Sequence, residues 1–92
     1  MIYKIEFAPN AERQLSKLPH NVKKQLFKRI QSLSREPRPH NASYLQLKSS
    51  KSKYLKIRTG DYRIIYTIED DILIVLIVSI GHRSDIYKRF FR

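Results

Sequence analysis

The sequence predicts an α+β domain: an N-terminal strand and a two-helix hairpin packed on one face of a small, twisted, mainly antiparallel sheet, with a short C-terminal helix. Three observations predict it. The first seven residues alternate in polarity, the next stretch carries apolar residues at helical spacing, and from residue 44 the pattern turns to short strands between polar turns, of period two until the wholly apolar run that starts at residue 72. With 92 residues the chain is read as one domain, residues 1–92, whose thin core must claim most of its apolar side chains.

Each element follows from its pattern. In residues 2–7, Tyr3, Ile5 and Phe7 share one side and Ile2, Lys4 and Glu6 the other, the mark of a half-buried strand. Pro9 suits the first position of a helix, and Ala11, Leu15 and Leu18 give that helix its apolar stripe before Pro19 ends it. A second helix follows almost at once. Val22, Leu26, Ile30 and Leu33 face inward, Lys23, Lys24, Lys28 and Arg29 face water, and Asn21 is the expected cap. Pro37 and Pro39 forbid further helix, so residues 35–43 form a loop. "YLQLK" (44–48) and "YLKIR" (54–58) are short strands around the polar turn "SSKSK". In the second, Leu55 and Ile57 face the helices while Tyr54, Lys56 and Arg58 face away. "TGD" is a tight turn into an antiparallel partner, "YRIIYTIE" (62–69), and "DD" is another. Residues 72–80, "ILIVLIVSI", are apolar on both faces, which places that strand centrally; the residues after Gly81 are expected to form the terminal helix.

Composition narrows the function. Nineteen Lys and Arg against eight Asp and Glu give a formal net charge of +11, spread from Lys4 to Arg92. Such a surface attracts polyanions in a salt-dependent way, and with the aromatic residues it points first to RNA or the ribosome, ahead of a membrane surface or an acidic protein. No cysteine is present, which removes disulfides and thiolate chemistry. His20, His40 and His82 fall in separate segments and the two glycines stand singly, so no metal site, phosphate loop or cofactor is expected. The longest apolar run, seven residues over 72–78, is far below the ~20 that span a bilayer. A cytoplasmic protein with no membrane partner is expected.

The remaining chemistry is cationic. Tyr54, Lys56 and Arg58 project from one strand, and Arg63, of opposite parity to Ile64 and Tyr66, joins them if those two pack under the helices. His82 and Arg83 follow the long strand, and Tyr87 lies one helical turn after Arg83. RNA cleavage by the 2′-hydroxyl requires a base for that hydroxyl, cations for the phosphate, and a group that assists the departing 5′-oxygen. A lysine crowded by other cations gives up its proton more readily than a solvated one, which makes Lys56 the candidate base. Arg63 and Arg58 would grip the phosphate, Arg83 or His82 would assist the leaving group, and Tyr87 would stack on a base or orient the 2′-hydroxyl. Taken singly, each is an ordinary surface residue; only their convergence would make a site.

The segments "YLKIRTGDYRIIYTIEDDILIVLIVSIGHRSDIYKRF" and "FAPNAERQLSKLPHNVKKQLFKRI" resemble the C-terminal half and the helical hairpin of the RelE toxins, in the RelE/ParE superfamily of toxin–antitoxin systems. The most specific parts are "R-x-G-D-Y-R-I-I-Y" and "G-H-R-S-D-I-Y". The resemblance implies a toxin that enters the ribosomal A site and cuts mRNA there without metal, leaving a 2′,3′-cyclic phosphate and inhibiting translation. It assigns Lys56 as base, Arg63 to the phosphate, Arg83 as acid or leaving-group stabiliser, and Tyr87 to the nucleotide, with His82 open as the alternative acid. Arg58, Lys53, Lys51 and Lys88 complete the RNA- and phosphate-binding set. Some members carry a second lysine two residues before the base, where this chain has Tyr54. The implied partners are a cognate RelB-like antitoxin, the ribosome and mRNA, with operator DNA reached only through the antitoxin. Two other readings are a ParE-like inhibitor of DNA gyrase and a non-catalytic ribosome- or RNA-binding module.

Overall fold

A computed structural model describes residues 2–45 and 53–82. Among these residues the elements run β1 (Lys4–Phe7), α1 (Pro9–Ser16), α2 (His20–Ser32), β2 (Ser43–Leu45), β3 (Tyr54–Thr59), β4 (Tyr62–Glu69) and β5 (Ile74–His82). The strands form one sheet in the order β1-β5-β4-β3-β2. β2 to β5 make an antiparallel meander, and β1 pairs parallel with β5. The helical hairpin therefore carries the chain from one edge of the sheet to the other. This is the expected α+β architecture, with one parallel pair in a mainly antiparallel sheet.

The core lies between the helices and one sheet face. Ala11, Leu26, Ile30 and Leu33 meet Leu55, Ile57, Ile64, Tyr66, Val75, Ile77 and Ile80, and Tyr3, Ile5 and Phe7 pack at its edge. Each fully buried Leu or Ile contributes roughly 1.5–3 kcal/mol. A smaller cluster sits on the opposite face, where Leu45 and Ile65 pack with Tyr54 and Val78.

Several boundaries differ from the expected ones. Pro9 does open α1, but α2 begins at His20, so Asn21 is inside the helix and caps nothing. Pro19 takes the cap position: its ring holds φ at −57°, and its carbonyl accepts the Lys23 N–H at 2.9 Å to close the first turn. β1 starts at Lys4 rather than residue 2, and β2 covers only Ser43–Leu45 of the described chain. The last strand starts two residues late, because Leu73 adopts φ 54°, a left-handed conformation that ends a turn rather than extending a strand. That strand also runs two residues past Ile80, since Gly81 and His82 pair with Arg63 and Tyr62. It is flanked by β1 and β4, and β4, not β5, occupies the middle of the sheet. The expected C-terminal helix lies outside the described residues.

β5 also contains a bulge. Ile65 pairs with Ser79 and Tyr66 with Ile77, which leaves Val78 without a partner on β4. The extra residue switches the alternation, so Ile77 below it and Ile80 above it both enter the main core. Gln14 of α1 closes the defect: its Oε1 accepts the Ile80 N–H at 2.7 Å and the Ser79 hydroxyl at 3.2 Å. Among the described residues no helix is long and apolar enough to cross a membrane.

Candidate active site

The β3–β4 hairpin positions the candidate residues. Its two-residue turn has Gly60 at φ 60°, while Asp61 keeps a negative φ. Positive φ at the first central position alone is the pattern of a II′ turn, which only glycine enters without strain. The turn sets Thr59 opposite Tyr62, Arg58 opposite Arg63, Ile57 opposite Ile64 and Lys56 opposite Ile65. Ile57 and Ile64 are buried against the helices. The period of two then sends Lys56, Arg58 and Arg63 to the other face together. β2 adds Ser43 directly opposite Lys56.

A third wall comes from the loop between α2 and β2. Tyr66 Oη donates to the Pro37 carbonyl at 2.8 Å. Arg38 grips Asp70 through two donors, at 2.7 and 3.3 Å, and Tyr3 Oη donates to the same carboxylate at 2.6 Å. The Ala42 N–H donates to the Pro39 carbonyl at 2.9 Å, and Pro39 itself is buried. Arg29 of α2 donates to Asn41 Oδ1. Thus pinned, the loop delivers Asn41 beside the cations. The resulting cavity, about 470 Å³, is lined by Asn41, Ser43, Lys56, Ile57, Arg58 and Arg63. That volume falls in the range of small-molecule and nucleotide sites. A second depression of about 570 Å³ opens beside β1, but apolar side chains with Glu6 and Glu12 line it, which disfavours phosphate.

The shifted titrations belong to the loop anchors. Hydrogen bonds from Arg38 and Tyr3 hold the Asp70 carboxyl below the ordinary carboxylate range. The same carboxylate raises the Tyr3 phenol and the Arg38 guanidinium. Burial pushes the Tyr66 phenol up to about 12. Within the cavity the chief electrostatic fact is crowding: two arginines face each other across the hairpin with a lysine two residues along β3. Like charges held this way destabilise the sheet and attract an anion able to lie between them.

Of the residues singled out from sequence, Lys56, Arg58 and Arg63 are brought together in one cavity. His82 is not among its lining residues. It pairs with Tyr62, and their rings meet edge to face with centroids 5.8 Å apart and planes at 81°. Tyr62 packs against the main core, so His82 sits on the helix side of the sheet end, across from Lys56. Gly81, which lacks a side chain, is the residue opposite Arg63. Lys53 is exposed just before β3 and does not line the cavity. Tyr54, at the position where some RelE toxins carry a second lysine, packs with Leu45, Ile65 and Val78. Lys51, Arg83, Tyr87 and Lys88 lie outside the described residues. Asn41 and Ser43 were not singled out from sequence. Asn41 stands in a proline-rich loop whose anchors are distant in the chain, and no local pattern marks it. Among the described residues no group of three His, Asp or Glu is placed to hold a metal ion.

The family model described as the ParE toxin of type II toxin–antitoxin systems, parDE, matches residues 5–87. Toxin RelG of Mycobacterium tuberculosis is 33% identical over 90 residues, covering 97% of this chain and 100% of RelG. This chain belongs to the RelE toxin family. It is the toxin component of a type II toxin–antitoxin system. A second relative of this RelE-family toxin, the mRNA interferase toxin RelE of Escherichia coli K12, is 29% identical over 91 residues, covering 96% and 93% of the two chains. The fold agrees as well. A chain in the crystal structure of the RelBE2 toxin–antitoxin complex from Mycobacterium tuberculosis superposes with a TM-score of 0.78 at 30% identity, covering 90% of this chain and 100% of that one.

Proposed function

We propose that this RelE-family toxin is a ribosome-dependent endoribonuclease that cleaves mRNA in the A site and so inhibits translation. The observation that carries the reading is the gathering of Lys56, Arg58 and Arg63 in one cavity on the sheet face opposite the helices. The relatives named mRNA interferase support the same reaction class.

In this reading Lys56 Nζ takes the proton of the ribose 2′-hydroxyl as its oxygen attacks the adjacent phosphorus. The guanidinium groups of Arg63 and Arg58 hold the non-bridging phosphate oxygens, whose charge grows in the transition state. As the bond to the 5′-oxygen breaks, that oxygen takes a proton from Arg83 or from a water, and the products are a 2′,3′-cyclic phosphate and a 5′-hydroxyl. The resemblance to RelE toxins gives Arg83 to the leaving oxygen and Tyr87 to the nucleotide; both lie outside the described residues. His82, engaged with Tyr62 on the other face, is the less suitable acid. No step needs a metal or cofactor. Lys51, Lys53 and Lys88 are the further RNA- and phosphate-binding residues of this reading.

Primer-extension mapping of mRNA ends on ribosomes incubated with the purified protein tests this. Wild type produces cuts within the A-site codon, and Lys56→Ala, Arg63→Ala, Arg83→Ala and Tyr87→Ala each reduce them. Near wild-type cutting by all four variants would remove these roles. The partner in this reading is a RelB-like antitoxin, which the toxin–antitoxin complexes among the similar structures support; an acidic, apolar segment of it would complement the +11 charge. The antitoxin, not this chain, supplies operator binding.

The matching family model, described as a ParE toxin, favours a second reading, inhibition of DNA gyrase without nuclease chemistry. A supercoiling assay run beside the translation assay separates the two.

A further inference from the structure

The cations of the cavity recognise charge, and a phosphate looks the same beside every base. Asn41 is different. Its amide can both donate and accept, and what it has left to offer is decided by Arg29. A guanidinium carries donors only, so the amide must turn its oxygen toward Arg29 Nη2, as it does. The amide is planar and its nitrogen points away from its oxygen. Asn41, which lines the cavity with Lys56, Arg58 and Arg63, therefore has two N–H donors left to offer a ligand. The loop that carries it is tied to α2, β4 and the β4–β5 turn, which fixes its position beside the cations, while Arg29 sets the turn of the amide.

We propose that Asn41, oriented by Arg29, determines base specificity in the cation-lined cavity. A nucleobase that presents a carbonyl oxygen at purine C6 or pyrimidine C4, guanine or uracil, is selected over one that presents an amino group there, adenine or cytosine. This rests on the nuclease reading for its biological setting but not for its chemistry. An amide with its oxygen engaged hydrogen-bonds a carbonyl and meets an amino group donor to donor. Correctly placed base-edge contacts discriminate by roughly 5- to 100-fold. Arg29 is the positioning residue, and Asn41 is the residue that touches the base.

The experiment has two arms on the full chain. In the first, cleavage sites are mapped on ribosomes programmed with an mRNA containing all codons, and the ratio of cuts beside guanine or uracil to cuts beside adenine or cytosine is taken. In the second, guanosine, uridine, adenosine and cytidine 3′,5′-bisphosphates are titrated into the protein and followed through the backbone amide resonances of Ser43 and Lys56, which every variant keeps. Wild type is expected to favour guanosine and uridine by about 10-fold in both arms. Asn41→Ala should bring the ratio to near one. Asn41→Asp, an acceptor, should tilt it toward adenosine and cytidine. Arg29→Met, which keeps the packing stem but loses the donor, should lower the ratio with melting temperature unchanged. Cleavage by wild type with a ratio that Asn41→Ala and Asn41→Asp leave alone, and bisphosphates bound alike, would overturn the assignment while leaving the nuclease standing. Bisphosphate discrimination that depends on Asn41, with no cleavage, would keep the assignment and remove the nuclease. Neither cleavage nor discrimination would remove both.

Discussion

The register of the β3–β4 hairpin sets Arg58 and Arg63 directly opposite each other on the cavity face. Directly opposed residues of an antiparallel pair have Cα atoms about 4.5–5.5 Å apart, and two unit charges about 5 Å apart in a water-like medium repel by roughly 0.8 kcal/mol. Screening at physiological ionic strength, with a Debye length near 8 Å, reduces this to about half. Arg58 is exposed, so its replacement opens no core cavity. Arg58→Gln should therefore stabilise the fold by about 0.4–0.8 kcal/mol, which for a domain of this size is a rise of about 2–6 °C in melting temperature. Arg58→Lys, which keeps the charge, should give little of that gain. Thermal melts followed by circular dichroism, at about 20 mM and about 1 M salt, make the comparison. At the higher salt the Debye length falls to about 3 Å and the advantage of Arg58→Gln should shrink toward zero. A variant that melts below wild type at low salt, or whose gain survives at high salt, would refute repulsion between the two arginines. The same substitution should weaken RNA cleavage, because the crowding that costs stability is what draws the phosphate in.

Three further outcomes follow from the anchors. The Asp70 carboxyl is depressed in the fold, so its contribution is present above the unfolded value near 4 and is lost as pH falls through the lower folded value. Asp70→Asn should accordingly lower stability at neutral pH and flatten the acid limb of a pH series of thermal melts. The Tyr66 phenol is raised to about 12, so its contribution is complete below pH ~10 and is lost as pH rises toward about 12. Tyr66→Phe should remove that alkaline loss in urea melts and, by leaving the Pro37 carbonyl without its donor, cost about 1–3 kcal/mol at neutral pH. Gln14→Ala strips the acceptor from the Ile80 N–H at the bulge and should cost about 1–3 kcal/mol, with faster hydrogen exchange at Ile80 than at Ile64 across the ladder.

What the sequence made legible is local and periodic. Leu55 and Ile57 alternate with Lys56 and Arg58, Ile64 and Tyr66 alternate with Arg63, and the turn at Gly60 leaves one natural way to pair them. That is enough to put three cations on one face. The face reached by His82 could not be read the same way. Residues 72–80 are apolar on both sides, so they carry no phase, and the unpartnered Val78 that shifts the alternation leaves no trace in the pattern. Asn21 looked like a cap because its side chain suits the role, but Pro19 had already fixed the helix entry. Asn41 was invisible because its placement depends on Tyr66 meeting Pro37 and Arg38 meeting Asp70, contacts 29 and 32 residues apart.

The apolar core, rather than any attraction among the site residues, is what assembles the cations. Lys56, Arg58 and Arg63 repel one another, and nothing in their own chemistry would gather them. They converge because Ile57 and Ile64 must be buried opposite each other, and the pleat then leaves the intervening residues nowhere else to point. A slip of one residue in the β3–β4 register would turn one strand over relative to the other, exposing Ile57 or Ile64 and burying that strand's cations, an exchange costing several kcal/mol on burial alone. The free energy that holds the phosphate site in its unfavourable crowding is thus stored on the other side of the sheet. Substitutions in that core, at Ile57 or Ile64, should disturb cleavage even though neither side chain carries chemistry.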